Sequence, residues 1–310
     1  MRFYIKKIFY FSIPFWIYVL FITVIDPYDF INVSHIIDDV NKISILNRSN
    51  ESGPRGNMLW KAHHFKNNPS SIVLIGDSQG RRIRESLIEE VTGEQCFNFC
   101  VPGASYSTSI ENFWFIAENA QLKKVYFVVS FMNYNANRDY SLCHFAFDYF
   151  EKPYKYFTTK EIFFDSWANF LYFLTNNKKI ATNYYEFQGV EKLDELSKSQ
   201  FNLFFGNYKY PENYYKEMKE IGTYCDENRI ELTFILLPIY KEVNLFLSQS
   251  NLIDYCHKFK EDLLSIAPVL DYSDYPDIFD KRECFIDFYH LKQEPLDKIT
   301  EKIWSDMNSD

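Results

Sequence analysis

Three residues of this 310-residue sequence have the types that nucleophilic acyl chemistry requires. Ser78 follows Ile75-Gly76-Asp77, while Asp287 and His290 share the run Asp287-Phe288-Tyr289-His290. A serine hydroxyl is a weak nucleophile until an imidazole takes its proton. A carboxylate then orients the imidazole and stabilises the imidazolium that forms. The developing oxyanion needs preorganised donors. The candidates are the N–H groups of Ser78 and Gly103 and the side-chain amide of Asn133. Each piece alone has an ordinary reading. Gly-Asp-Ser is also a plain turn or N-cap, Asp-x-x-His a surface helix cap, and Asn133 a turn residue.

These residues matter together only if the fold brings them to one place. Ile72–Ile75 reads as a short buried strand, followed by a helix with Ile83, Leu87 and Val91 on one face and Ser78 at its start. There the helix dipole would favour developing negative charge. Cys96–Val101 reads as a second strand ending at Pro102-Gly103, Ile110–Ala120 as a helix, and Val125–Phe131 as a third strand with Asn133 just beyond. Leu232–Leu237 is a fourth strand stopped by Pro238, Pro268–Asp271 a fifth, and Leu296–Met307 a closing helix. Strands alternating with helices predict an α/β fold, a doubly wound parallel sheet covered on both faces. Functional groups in such sheets gather at the carboxyl ends of the strands, where Ser78, Gly103 and Asn133 lie, while Asp287 and His290 come just before the closing helix. Between the third and fourth strands, residues 140–228 are too long for a simple crossover and rich in Phe and Tyr. They read as an insertion with an aromatic core, in preference to a sugar-stacking or membrane-partner surface.

The N-terminus has a different character. Ile8–Ile25 carries no charge and would span about 27 Å as a helix, close to a hydrocarbon core of about 30 Å. Arg2, Lys6 and Lys7 precede it, and Asp26 and Asp29 follow it. This reads as a single-pass transmembrane helix with residues 1–7 as a cytoplasmic stub and the rest outside. A cleaved signal peptide lacks its small-x-small site after Ile25, and a buried core helix is the third reading. Residues 26–69 read as a stalk, with Asn47–Asn57 a loop, leading to a domain over 70–310.

Composition removes other classes. Net charge is −9 despite the basic N-terminus, so the remainder would repel phosphate backbones and nucleic-acid binding is not expected. Six cysteines form no CxxC pair or zinc-ligand grouping. Cys96 and Cys100, on one strand about 13 Å apart, are too distant for a disulfide, so the thiols read as small buried groups. His63-His64 are adjacent and ill-placed to share an ion. The aspartates from Asp271 to Asp280 lack the glycine and glutamate of a calcium loop. No nucleotide-binding loop is present, so neither metal nor cofactor is expected. Arg81, Arg82 and Arg84 read as solvated or paired with Glu85, Glu89 and Glu90, in preference to an anion site.

The order of these blocks resembles the SGNH (GDSL-like) hydrolase superfamily over residues 71–306. Ile75-Gly76-Asp77-Ser78 is similar to its first block and Phe97–Ser105 to its second. Asp287-Phe288-Tyr289-His290-Leu291 is similar to its last. The resemblance implies a flavodoxin-like sheet, Ser78 as nucleophile, His290 as base, Asp287 as acid, and Ser78, Gly103 and Asn133 as the oxyanion hole. The third block, Ser130-Phe131-Met132-Asn133, lacks the usual glycine, which leaves Asn135 as a fallback for Asn133. An anchor followed by Asp26-Pro27-Tyr28 is similar to the SGNH-like proteins of envelope O-acylation, those of alginate and peptidoglycan acetylation and teichoic-acid D-alanylation. That likeness implies acyl transfer to a cell-surface glycan from the bacterial cytoplasmic membrane, beside a multipass membrane-bound O-acyltransferase. An esterase using the same residues and a non-catalytic, membrane-tethered glycan-binding or assembly protein are the alternatives.

Overall fold

The computed structural model describes residues 2–38, 42, 58–177, 180 and 190–307. The chain divides into two compact units. One comprises Met1–His64 with His144–Phe187, the other Phe65–Cys143 with Gln188–Asp310.

The second unit is built on a sheet of β1 (Ile72–Gly76), β2 (Phe97–Asn98), β3 (Lys124–Val128), β4 (Glu231–Leu236) and β5 (Val269–Asp271). The order is β2-β1-β3-β4-β5 and every pairing is parallel, the doubly wound arrangement expected from the alternation of strands and helices. The pleat explains why β1 is apolar throughout: both of its faces are covered. On one face Ile72, Leu74, Tyr126, Val128 and Ile235 pack with Ile88 of α3 (Glu85–Thr92) and Leu296, Ile299, Ile303 and Trp304 of α12 (Gln293–Met307). On the other, the Phe127 ring lies 6.1 Å from Phe113 of α4 (Tyr106–Asn119) and 6.1 Å from Phe234. Phe113 and Trp114 in turn meet Tyr224 of α9 (Glu212–Asn228) at 5.8 and 5.2 Å. Gly76 closes β1 because a Cβ there would stand 2.5 Å from the Val128 carbonyl oxygen.

Two elements are shorter than their sequence patterns suggest. The ordered pairing of β2 covers only Phe97–Asn98, so Cys96 and Cys100 flank it. The reason is Asn98, whose amide donates to the Gly80 and Ile83 carbonyls at 2.9 Å each while its Oδ1 accepts the Cys100 N–H at 2.9 Å. The chain still tracks β1 through Phe99 N–H to Leu74 O (2.7 Å) and Val101 N–H to Gly76 O (2.9 Å). Likewise β3 ends at Val128, and Phe131–Asn133 forms a 3-10 turn. All six cysteines are free thiols, five of them buried.

The first unit contains α1 (Arg2–Ile25), α2 (Met58–Asn67) as far as His64, α5 (His144–Glu151), α6 (Lys155–Thr158) and α7 (Lys160–Thr175). Lys6–Ile25 has a mean hydropathy of 2.2 and is long and apolar enough to cross a membrane. At its end the chain turns sharply around the buried Asp26. Its carboxylate accepts the N–H groups of Phe30, Ile31 and Asn32 and the Tyr156 hydroxyl at 2.6 Å. Tyr28 donates to Asp165, and Asp29 accepts from Lys42 and from the Trp60 indole at 3.3 Å. Residues 26–38, at the start of the sequence-defined stalk, are thus folded within this unit. The Asn47–Asn57 loop lies outside the described residues. The aromatic segment 140–228 divides between the units, with α5 to α7 in the first, and α8 (Val190–Phe205) and α9 in the second. His63 meets the Phe30 ring at a tilt and His64 stacks on Trp60.

Candidate active site

Ser78, Asp287 and His290 come together, across more than two hundred residues of sequence. Ser78 occupies the turn immediately after β1, half-buried. Its Oγ lies 2.8 Å from His290 Nε2. On the far side of the ring, His290 Nδ1 is 2.8 Å from Asp287 Oδ2. A carboxylate can only accept, so Nδ1 carries the proton and Nε2 presents its lone pair to the serine hydroxyl.

The Asp-x-x-His spacing has a local cause. Asp287 Oδ1 accepts the backbone N–H groups of Tyr289 (2.9 Å) and His290 (2.8 Å), folding the chain so that the imidazole returns over the carboxylate. Ile286 N–H to His290 O (2.8 Å) and Lys292 N–H to Cys284 O (2.8 Å) close the loop, whose ends pair as an antiparallel bridge between Phe285 and Leu291. α8 braces it from outside. The Arg282 guanidinium binds Asp194 of α8 and also donates to the carbonyls of Phe285 (2.7 Å) and Ile286 (3.1 Å). Ser197 accepts the Phe288 N–H, and the Phe201 and Phe204 rings meet Phe288 and Tyr289 at 5.9 and 5.4 Å. Sequence reasoning did not single out Asp194, Ser197 or Arg282. Their only signal is chemical type, because Asp194 meets Arg282 and Ser197 meets the Phe288 N–H across about ninety residues of chain.

The electrostatics follow from the contacts. Burial alone would lower the His290 pKa, but the charge and hydrogen bond of Asp287 outweigh it and the imidazole titrates above its ordinary value. Burial would raise Asp287, yet His290 and the two backbone N–H groups hold its carboxyl below the ordinary range.

The candidate oxyanion donors divide into two kinds. Among the described residues the Ser78 and Gly103 N–H groups have no acceptor. Gly103 adopts a φ of 76°, left-handed backbone that glycine enters without strain, and it follows Val101, which is still bonded to the end of β1. Asn133 is tied to the residue before Ser78, its amide donating to Asp77 Oδ2; the second amide hydrogen has no acceptor among the described residues. Asp77 is a hub: its carboxylate also accepts Ser130 Oγ (2.9 Å) and Gln79 N–H (2.8 Å), and burial holds its pKa above the ordinary carboxylate value. Asn135 is placed differently. Its side chain donates to Phe204 O (2.9 Å) and accepts the Asn137 and Lys209 N–H groups, a bracing role away from Asp77.

Two expectations are corrected. Ser78 does not start a helix: only the 3-10 turn Gly80–Arg82 comes after it, and α3 begins at Glu85. Asn98 holds the Gly80 and Ile83 carbonyls in this turn, so a full helix dipole does not act on Ser78. Arg84 is exposed, as the solvated reading has it, but its ion partner is none of Glu85, Glu89 and Glu90. Arg84 forms a two-pronged pair with Asp297 (3.0 and 2.9 Å), and Arg82 donates to Leu291 O at 3.2 Å. Beside the site, Gln79 and Tyr289 line an apolar pocket with Met132, Phe205, Leu237 and Val243. The Gln79 amide donates to Tyr289 O at 2.9 Å, tying the residue after the serine to the residue before the histidine. The buried thiols are poor alternative nucleophiles, since burial pushes Cys225 up to about 12 and Cys256 to about 11.

No family of known proteins matches this sequence. No curated protein matches it either. Among solved structures, a protein from Streptococcus pneumonia provisionally named a platelet activating factor aligns with a TM-score of 0.41 and 12% identity, over 80% of this chain and 91% of that one. A likeness at this level carries no functional argument, so function has to be read from the site itself.

Proposed function

We propose that this protein is an SGNH-type serine acyltransferase, held at the membrane by α1 and acting outside it on a cell-surface polysaccharide. The observation that carries the reading is the unbroken hydrogen-bonded line from Ser78 Oγ through the His290 ring to Asp287. In the first half-reaction Ser78 Oγ attacks the acyl carbonyl as His290 Nε2 takes the hydroxyl proton. The Ser78 and Gly103 N–H groups and the Asn133 amide receive the oxyanion. Collapse of the tetrahedral intermediate returns that proton to the leaving group and leaves an acyl-serine. In the second half-reaction an acceptor hydroxyl gives its proton to His290 and takes the acyl group, restoring Ser78. The apolar pocket beside Gln79 and Tyr289 suits the hydrocarbon part of the acyl group. With water as acceptor the same residues make an esterase.

The anchor reading draws support from the end of α1. Ile22 and Ile25 are buried, and Asp26 is tied to Tyr156, so the helix ends inside a folded unit. Such an end suits a retained anchor better than a removed leader. The donor of the acyl group in this reading is a multipass membrane-bound O-acyltransferase, for which tethering raises the effective concentration without a tight interface.

The test is covalent labelling of the full chain in membranes with a serine-directed fluorophosphonate. We expect one label, on Ser78, absent from Ser78→Ala. Folded protein that takes no label refutes the catalytic reading and leaves the non-catalytic one. Glycan acylation measured with and without a candidate membrane acyltransferase tests the partner, and full acylation in its absence removes it.

A further inference from the structure

The helix α7 (KEIFFDSWANFLYFLT) is inside out. Between its exposed polar ends (Lys160, Glu161 and Thr175), the polar Asp165, Ser166 and Asn169 are buried at 0%, 0% and 1% exposure beside Ile162 and Ala168, while Phe164, Trp167, Phe173 and Leu174 are exposed at 46%, 45%, 54% and 61%. With the half-buried Leu171, Phe164, Trp167 and Leu174 fall at i, i+3, i+7 and i+10, one continuous apolar stripe. The inward polar groups are satisfied where they sit. Asp165 accepts the Tyr28 hydroxyl, Ser166 donates to Ile162 O at 2.8 Å, and Asn169 donates to Asp165 O at 2.8 Å. A helix facing water would carry the opposite pattern.

The position of α7 along α1 identifies what covers the stripe. The Phe163 ring lies 5.9 Å from Tyr18, and Trp167 and Phe170 lie 6.0 and 5.6 Å from Phe21. Tyr18 also donates to the Phe157 carbonyl at the end of α6 at 2.7 Å. Phe21 and Tyr18 lie inside the apolar span, roughly 6 and 10 Å below its outer end at Ile25 for a rise of about 1.5 Å per residue. That matches the depth of about 5–10 Å at which an interfacial helix buries its apolar face. Lys160 begins α7 with its ammonium 5.5 Å from the Phe164 ring, a placement from which it can snorkel to the headgroups. Resting on the reading of α1 as a membrane anchor, we infer that α7 is a second membrane element. Its stripe of Phe164, Trp167, Leu171 and Leu174 is seated among the acyl chains of the outer leaflet. The unit then holds the membrane by a span and an adjoining embedded helix, which fixes its tilt as a lone span cannot.

The test uses the two tryptophans that report the two helices. The full chain is reconstituted without any partner into phosphatidylcholine–phosphatidylglycerol vesicles whose acyl chains are brominated near the carbonyl end or near the methyl end. The emission of Trp167 is obtained as wild type minus Trp167→Phe, and that of Trp16 as wild type minus Trp16→Phe. We expect the Trp167 emission to lose most of its intensity to shallow bromines, and that of Trp16 to be quenched more by deep ones. Quenching of Trp16 with none of Trp167 overturns the inference while the anchor stands, and leaves a protein as the occupant of the stripe. Quenching of neither refutes the anchor and the inference with it.

Discussion

The Asp287 carboxylate holds His290 twice, through the ring Nδ1 at 2.8 Å and through the residue's own backbone N–H at 2.8 Å. One side chain therefore sets both the tautomer of the base and the loop that carries it. Asp287→Asn keeps an acceptor for the backbone but offers the ring a partner that can force the wrong tautomer. We expect fluorophosphonate labelling of Ser78 to slow about 10⁴-fold, the scale of an aspartate-to-asparagine change in a serine triad, with little change in the thermal unfolding midpoint. Labelling at the wild-type rate would show that His290 does not need Asp287.

The same pair fixes the pH dependence. His290 must be neutral to take the Ser78 proton, and Asp287 raises its pKa against the effect of burial. Labelling should therefore rise with pH through a midpoint above the ordinary histidine value of about 6.5. Removing the charge in Asp287→Asn leaves burial dominant and moves the midpoint down. Stability runs the other way. The raised His290 stabilises the fold below about pH 6.5, an effect lost as pH rises through its folded value. The lowered Asp287 stabilises it above about pH 3.9, an effect lost as pH falls. The pair's full contribution thus lies between those limits, on the acid side of the activity rise. A labelling rate flat from pH 5 to 8 would remove His290 as the base.

Asn133 and Asn135 are two residues apart and should behave differently. Asn133→Ala removes a candidate oxyanion donor and should slow labelling by about 10²–10³-fold. Because Asn133 is held by Asp77, Asp77→Ala should slow labelling as well and also unpair Ser130 and the Gln79 N–H, at a cost of about 1–3 kcal/mol for each buried group left unsatisfied. Asn135→Ala should lower the unfolding midpoint, through its lost contacts to Phe204, Asn137 and Lys209, without slowing the protein that remains folded. Equal rates for the two alanine variants would end the assignment of Asn133.

Much of this arrangement is legible in the sequence because it rests on local signals. Buried apolar runs ending in Gly-Asp-Ser, Pro-Gly and Asn mark the strands and the site residues just beyond their ends. The uncharged Ile8–Ile25 run marks α1. Other features are not legible, since they depend on side chains reaching partners on other segments. Asn98 shortens β2 and shapes the turn after Ser78 from within a sequence that reads as plain strand. Arg84 finds Asp297 in α12 although three glutamates lie closer along the chain. The division of 140–228 is hidden for a related reason: α7 and α8 are both Phe-rich, and composition does not say which unit each helix joins.

The last prediction concerns a residue that touches no reacting atom. Arg282 joins Asp194 of α8 to the Phe285 and Ile286 carbonyls, immediately ahead of Asp287, and is mostly buried while doing so. Its planar fork meets several acceptors at once, which the single ammonium of lysine does not reproduce. The pair itself is partly exposed and contributes on the order of 1 kcal/mol, so neither Arg282→Lys nor Asp194→Ala should unfold the protein. Their effect should fall on the placement of Asp287 and His290, where displacements of about 1 Å can cost about 10²-fold in rate. We expect both variants to slow Ser78 labelling, Arg282→Lys the more because it also loses carbonyl contacts, and the double variant to be slower than Arg282→Lys by less than the Asp194→Ala effect. The pH midpoint should stay where His290 and Asp287 set it, since the charge next to the ring is unchanged. In Asp194→Ala, the one of the two that changes the charge, a midpoint shift as large as that of Asp287→Asn would mean that the Arg282–Asp194 pair acts on the imidazole by charge instead of by holding the loop.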